Sequence, residues 1–365
     1  MTSKERLLRL FEGKELDRVP IWLLAPYHLL PYYADIYTNP CYAELLPDIA
    51  KHCDTLDRRR PSMGFCYNAN PDIKTVAIAT PEKTGTKIFY KNCIFEKYIC
   101  KQNGNTHVKF YIDDPEQFKS LLAIPFCTVK PCLDIYRKEK AELGEKGLLM
   151  MDLGDPLEVL YHLCSAEDFS MWSLTDYDAL LGFTDEMYSR VYELYRYFLQ
   201  NNVGDVFFIV GAEFAGPPLV SPTKFNELSM RYVKGIVDLI REYGKYSIVH
   251  YHGNIRKVLS GFSQIAPDAI HTIEAPPIGD CTITQAYEEL KKDIILVGNL
   301  QYDDLARLTT DEIDEKVRLI LDEGKAGRFI LSPTAGPYEQ QPSPKTIENY
   351  RAFIHAGIRY GGFKT

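Results

Sequence analysis

From residue 205 onward the chain alternates short apolar runs with amphipathic stretches, and this alternation limits its folding options more than any other feature. Strand-length runs rich in Val, Ile, Leu and Phe occur at residues 205–210, 247–252, 269–274, 294–299 and 329–332. Helical periodicity fills the intervals. Pro222 opens residues 223–243, residues 255–265 follow the Gly253-Asn254 turn, and residues 284–291 are shorter. A Thr309 and Asp311 cap precedes Ile313, Val317, Leu319 and Ile320. Strands alternating with helices imply parallel β-α units. Val206 to Val210 and Ile294 to Val297 are continuously apolar, as parallel strands covered on both faces are.

Upstream, residues 147–152 and 19–24 read as two further strands, and residues 60–66 as an eighth. Between residues 78 and 112 the pattern changes to antiparallel alternation, with Asn103-Gly104 as a hairpin signal. The expectation is a single α/β domain over residues 1–365, a (β/α)₈ barrel with a β-hairpin excursion in its N-terminal half. Its length of 365 residues suits one such barrel.

Composition narrows the function classes. A net charge of -8 offers nothing to a polyanion, so nucleic acid is not an expected partner. No run approaches the ~20 apolar residues of a membrane span, and no apolar segment follows Met1 as in a signal peptide. Nine scattered cysteines without a C-x-x-C pair suggest reduced thiols, so the expected location is cytoplasmic. The 25 tyrosines and 18 phenylalanines serve packing, an aromatic ligand pocket, or both.

Barrel enzymes place their chemistry at the C-terminal ends of the strands. There the sharpest feature is His250-Tyr251-His252-Gly253-Asn254. Side chains two apart on a strand share a face, so both imidazoles would reach the barrel mouth, where zinc accepts such nitrogen ligands. A hydrogen-bonding role for the two histidines is the alternative. Glu213 and Glu274 end the neighbouring strands and are candidates to complete a metal site and to act in catalysis. Asp152, Asn299 and Tyr338 also lie at strand ends, and Tyr27, His28 and Tyr32 follow the first strand, so they are expected to line a substrate pocket. His162 and His271 read as structural, His271 because it is out of phase with Glu274. Neither a phosphate loop, a G-x-S-x-G elbow nor a Cys-His nucleophile arrangement occurs.

These segments make the chain similar to the superfamily of uroporphyrinogen decarboxylases and cobalamin-dependent methyltransferases. The resemblance lies in the opening Lys4 to Leu8 with Leu16-Asp17-Arg18-Val19-Pro20-Ile21-Trp22, in Ser221-Pro222 with Phe225, and in His250 to Asn254. It continues through Val297-Gly298-Asn299, the helix start Leu308 to Ile313, and Gly327 to Pro333, in order along the whole chain. It implies a (β/α)₈ barrel.

Within that superfamily the decarboxylases carry an arginine-rich loop after the first strand, which grips the substrate carboxylates. Here the corresponding Leu23-Leu24-Ala25-Pro26-Tyr27-His28-Leu29-Leu30-Pro31 has no arginine. The thiol-methylating members use H-x-C with a further cysteine on the last strand, where this chain has His252 and Ala335. Some ether-cleaving methyltransferases of the superfamily use Glu and His ligands, and this chain resembles that type. The resemblance therefore implies a methyltransferase that takes a methyl group from a small donor, such as a methoxylated aromatic (O-demethylation). Zinc on His250, His252 and Glu213 or Glu274 would act as the Lewis acid, and cobalamin would be supplied by a separate corrinoid protein. A decarboxylase acting on uroporphyrinogen and a non-catalytic ligand-binding barrel are the competing readings, and a homodimer is compatible with each.

Overall fold

The computed structural model describes residues 1–26, 33–102, 104–290 and 293–363. Tyr27, His28 and Tyr32 therefore lie outside the described residues. Seven parallel strands form one curled sheet: β1 (Thr55–Arg59), β6 (Gly147–Asp152), β7 (Val206–Ile209), β8 (Tyr246–His250), β9 (Ala269–His271), β10 (Ile295–Leu300) and β11 (Phe329–Pro333). They are joined in that order by parallel pairing throughout.

Three expected strands differ from the observed ones, one of them only in length: β9 ends at His271 and not at residue 274. Residues 60–66 are not a strand; the pairing strand is β1, just upstream. Its sequence, Thr55-Leu56-Asp57-Arg58-Arg59, lacks the apolar continuity of a covered parallel strand, because its polar side chains have buried partners of their own. Residues 19–24 do not extend as a strand but make a single parallel bridge, Ile21 to Leu331. Trp22 N donates to Leu331 O, Leu331 N donates to Pro20 O, and Asp54 N donates to Ile21 O. Pro20 has no N–H to give a ladder, and Leu24 has a φ of 55°.

The core has two layers, as strand alternation requires. Inside the curl pack Trp22, Leu24, Leu56, Leu148, Met150, Val206, Phe208, Ile248, Ala269, Ile295, Val297 and Ile330. Leu7, Leu10 and Phe11 of the first helix, Ser3–Phe11, close the N-terminal end of this inner layer. The intervening residues Leu149, Met151, Phe207, Ile209, Val249, Ile270, Leu296 and Leu331 face the outer helices. At about 25 cal/mol per Å² of apolar area, each fully buried Leu, Ile or Phe contributes roughly 1.5–3 kcal/mol.

The antiparallel excursion is larger than a hairpin. β2 (Lys74–Ala79), β3 (Lys83–Tyr90), β4 (Cys93–Gln102) and β5 (Asn105–Lys109) form a four-stranded sheet in sequence order. Ile88, Tyr90 and Phe95 tie it to the main core, so it is not a separately packed unit. The expected helix over residues 223–243 is interrupted: Pro222–Phe225 is followed by a wide π turn, Asn226–Met230, before Arg231–Glu242. All nine cysteines are free thiols, and no helix among the described residues is long and apolar enough to cross a membrane.

Candidate active site

The C-terminal ends of the strands surround a cavity of about 430 Å³. His250 is the last residue of β8, and His252 follows two residues on. Both line the cavity, with ring centroids 4.5 Å apart and planes nearly perpendicular. The expected shared face therefore holds. Glu274 is buried behind them. Its Oε1 lies 3.3 Å from His252 Nδ1, and its Oε2 accepts from Gly253 N at 2.7 Å. Burial opposes a charge on His252, but the hydrogen bond and charge of Glu274, aided by Glu213, raise its pKa.

Glu213 lines the same cavity from the short turn after β7. Its Oε2 accepts from Gly211 N at 3.2 Å, and burial lifts its pKa to about 7. That turn depends on glycine. Gly211 has a φ of 136°, and a Cβ there would stand 1.8 Å from Asp155 Oδ1. Asp155 caps the helix Pro156–Leu163 through Glu158 N, while its Oδ2 is buried without a hydrogen-bond partner among the described residues.

His271 belongs to the site. It is fully buried, lines the cavity, and lies opposite His250 in the β8–β9 register. The two Nδ1 atoms are 2.7 Å apart, and the rings stack at 4.9 Å. Burial holds both imidazoles well below the usual histidine pKa. The sequence argument set His271 apart because it carried the strand on to Glu274. The strand stops at His271, so phase relative to Glu274 has no meaning. Aligning the apolar runs across the strands, Ile248 with Ala269, would have found it.

Arg58 and Arg60, at the end of β1, also line the cavity and were missed with their strand. Arg58 Nε and Nη2 reach Asp152 Oδ2 at 2.9 and 2.5 Å, and Arg60 Nη1 reaches it at 3.1 Å. Arg60 Nη2 pairs with Glu158 Oε1 at 2.5 Å. Asp152 is fully buried and its second oxygen accepts from Gly154 N, so it anchors the arginines and does not face substrate. Burial works against its charge, but the two guanidiniums hold its pKa below the usual carboxylate value. Asn299 is the penultimate residue of β10 and is not among the residues lining the cavity. His162, in the helix after β6, does line it. Tyr338 stacks on Tyr33 at 4.8 Å, and Tyr161 on Phe214 at 3.8 Å, and all four face the cavity. Ala335 lines it too.

The family model for uroporphyrinogen decarboxylase (URO-D) matches residues 97–360. Among solved structures, a methyltransferase from Methanosarcina mazei is 18% identical, covers 99% of both chains and superposes with a TM-score of 0.64. A putative vitamin-B12 independent methionine synthase from Listeria monocytogenes is 11% identical, with 65% of this chain and 71% of that chain covered and a TM-score of 0.45. No curated protein matches the chain in sequence.

Proposed function

Because the chain belongs to the uroporphyrinogen decarboxylase family, we propose that it works as that family's methyl-transferring members do, moving a methyl group from a small donor to a separate corrinoid protein. The observation that carries the reading is the pairing of His250 and His252 at the cavity, with Glu274 on His252 Nδ1. The likeness in fold to the Methanosarcina mazei methyltransferase is in keeping with it. A carboxylate on the far nitrogen of an imidazole orients the ring and fixes its tautomer, the usual support of a metal-binding histidine.

The donor atoms suit zinc in kind, since imidazole nitrogen and carboxylate oxygen are both zinc ligands. Among the described residues, however, no three His, Cys, Asp or Glu side chains already form a metal cage. His250 and His252 would hold the ion, and Glu213 would complete the set, because Glu274 is engaged by His252 and Gly253. When bound, zinc supplies Lewis acidity toward the donor's heteroatom.

The stacked pairs Tyr33–Tyr338 and Tyr161–Phe214 give the cavity planar apolar walls, which suit a methoxylated aromatic. In that reaction (O-demethylation) the methyl–oxygen bond breaks and the methyl passes to cobalt(I) of the corrinoid partner. The oxygen leaves with the bonding pair. The cobalamin belongs to the partner.

Decarboxylation of uroporphyrinogen, the reaction in the family's name, is disfavoured by the arginines. Eight substrate carboxylates need unspent cationic donors, whereas Arg58 and Arg60 are engaged by Asp152 and Glu158. One experiment addresses both reactions. Purified protein is incubated either with cob(I)alamin and a panel of methoxylated aromatics or with uroporphyrinogen. Methylcobalamin should accumulate with at least one donor, and no coproporphyrinogen should form. Robust coproporphyrinogen formation would reverse the assignment.

A further inference from the structure

We propose that His271 is a positioning residue that sets the tautomer of His250. The proposal rests on the reading of His250 as a metal ligand. Two Nδ1 atoms 2.7 Å apart can hold only one proton between them. Either His250 Nδ1–H donates to His271, leaving His250 Nε2 as a bare lone pair, or the reverse holds and His250 Nε2 carries the proton. Only the first arrangement lets His250 coordinate a metal through Nε2 while its ring stays fixed on the β8–β9 ladder.

The geometry makes His271 a rigid partner. It stands opposite His250 in register, is fully buried, and packs with ring centroids 6.0 Å from Trp22 and 5.9 Å from Phe208. Phe208 also lies 5.2 Å from the His250 ring, so the imidazole pair is wedged into the top of the inner core. His252 is held differently, by a carboxylate. The two candidate ligands thus take their orientation from two different acceptors, Glu274 for one and His271 for the other. The backbone carbonyl of Pro333 is a hydrogen-bond acceptor for the buried His271 imidazole.

The test reads the tautomer directly. In protein labelled with ¹⁵N at its histidines and free of metal, long-range proton–nitrogen spectra should show His250 protonated at Nδ1 and bare at Nε2. His271→Phe keeps the volume of the ring but removes the acceptor, and His250 should lose the Nδ1-protonated signature. His271→Asn offers an amide oxygen near the position of Nδ1, and the signature should return. Zinc affinity should fall by roughly 10–100-fold in His271→Phe and recover in His271→Asn. A proton on His250 Nε2 in the wild-type protein overturns the proposal without any variant, as does a His271→Phe protein with the His250 tautomer and zinc affinity unchanged. Wild-type protein that shows the stated tautomer but takes up no zinc would remove the proposed function and leave the orienting role of His271 standing.

Discussion

Zinc uptake and methyl transfer should be lost together in His252→Ala, with the barrel intact. His252 lies past the end of β8, keeps 39% of its side chain exposed, and contributes nothing to either apolar cluster. Its removal leaves His250 and one carboxylate, and losing one ligand of three lowers metal affinity by orders of magnitude. The metal-free variant should melt within a few degrees of metal-free wild type. In excess zinc the wild type should gain stability and the variant should not, because only binding to the folded state raises the melting temperature. Isothermal titration with zinc, alongside melting curves at two zinc concentrations, separates the cases. Retention of wild-type zinc affinity in the variant would exclude His252 as a ligand.

Asp152→Ala should have the largest effect on stability. It strips the shared partner from Arg58 and Arg60, leaving two cations at the buried floor of the cavity. Breaking a buried charge network from one side costs about 3–5 kcal/mol, which lowers the melting temperature of a chain this long by roughly 5 °C. The pH dependence follows from the sign of the Asp152 shift. Its folded pKa lies below the unfolded value, so its contribution is fully present above the unfolded pKa of about 3.9 and is lost as pH falls toward the folded value. Wild-type stability should thus decline more steeply below about pH 4 than that of the variant. Removing an exposed partner, as in Glu145→Ala opposite Lys4, should leave stability almost unchanged. Urea titrations of the three proteins at neutral and acid pH read both effects.

Most of the parallel architecture was legible in the sequence because buried parallel strands write themselves as apolar runs. β6, β7, β8, β10 and β11 lie within a residue or two of the expected positions. β1 was misplaced, since one of its two interior positions is Arg58, whose partner Asp152 is 94 residues away and invisible to any local pattern. The extent of β2 was also hidden. Lys74–Ala79 is an exposed edge strand, none of whose residues is buried against the core.

At the site, the H-x-H spacing and the strand-end rule were enough to bring His250, His252, Glu213 and Glu274 to one end of the sheet. Roles finer than proximity were not legible. Asp152 reads like any strand-end carboxylate, and only the Arg58 and Arg60 contacts turn it inward. Glu274 and Glu213 look equivalent in sequence, yet one is bound to His252 while the other is held by backbone N–H groups in the turn that Gly211 permits. His271 required cross-strand register, which depends on where β9 ends.

The metal content of the wild-type protein, purified without a histidine tag in the presence of zinc and then freed of loosely bound ions, tests the central claim most directly. Elemental analysis should find stoichiometric zinc, and His250→Ala or His252→Ala protein prepared in the same way should be depleted of it. Wild-type protein without stoichiometric metal would contradict the account, leaving the fold and family in place and removing zinc-assisted methyl transfer.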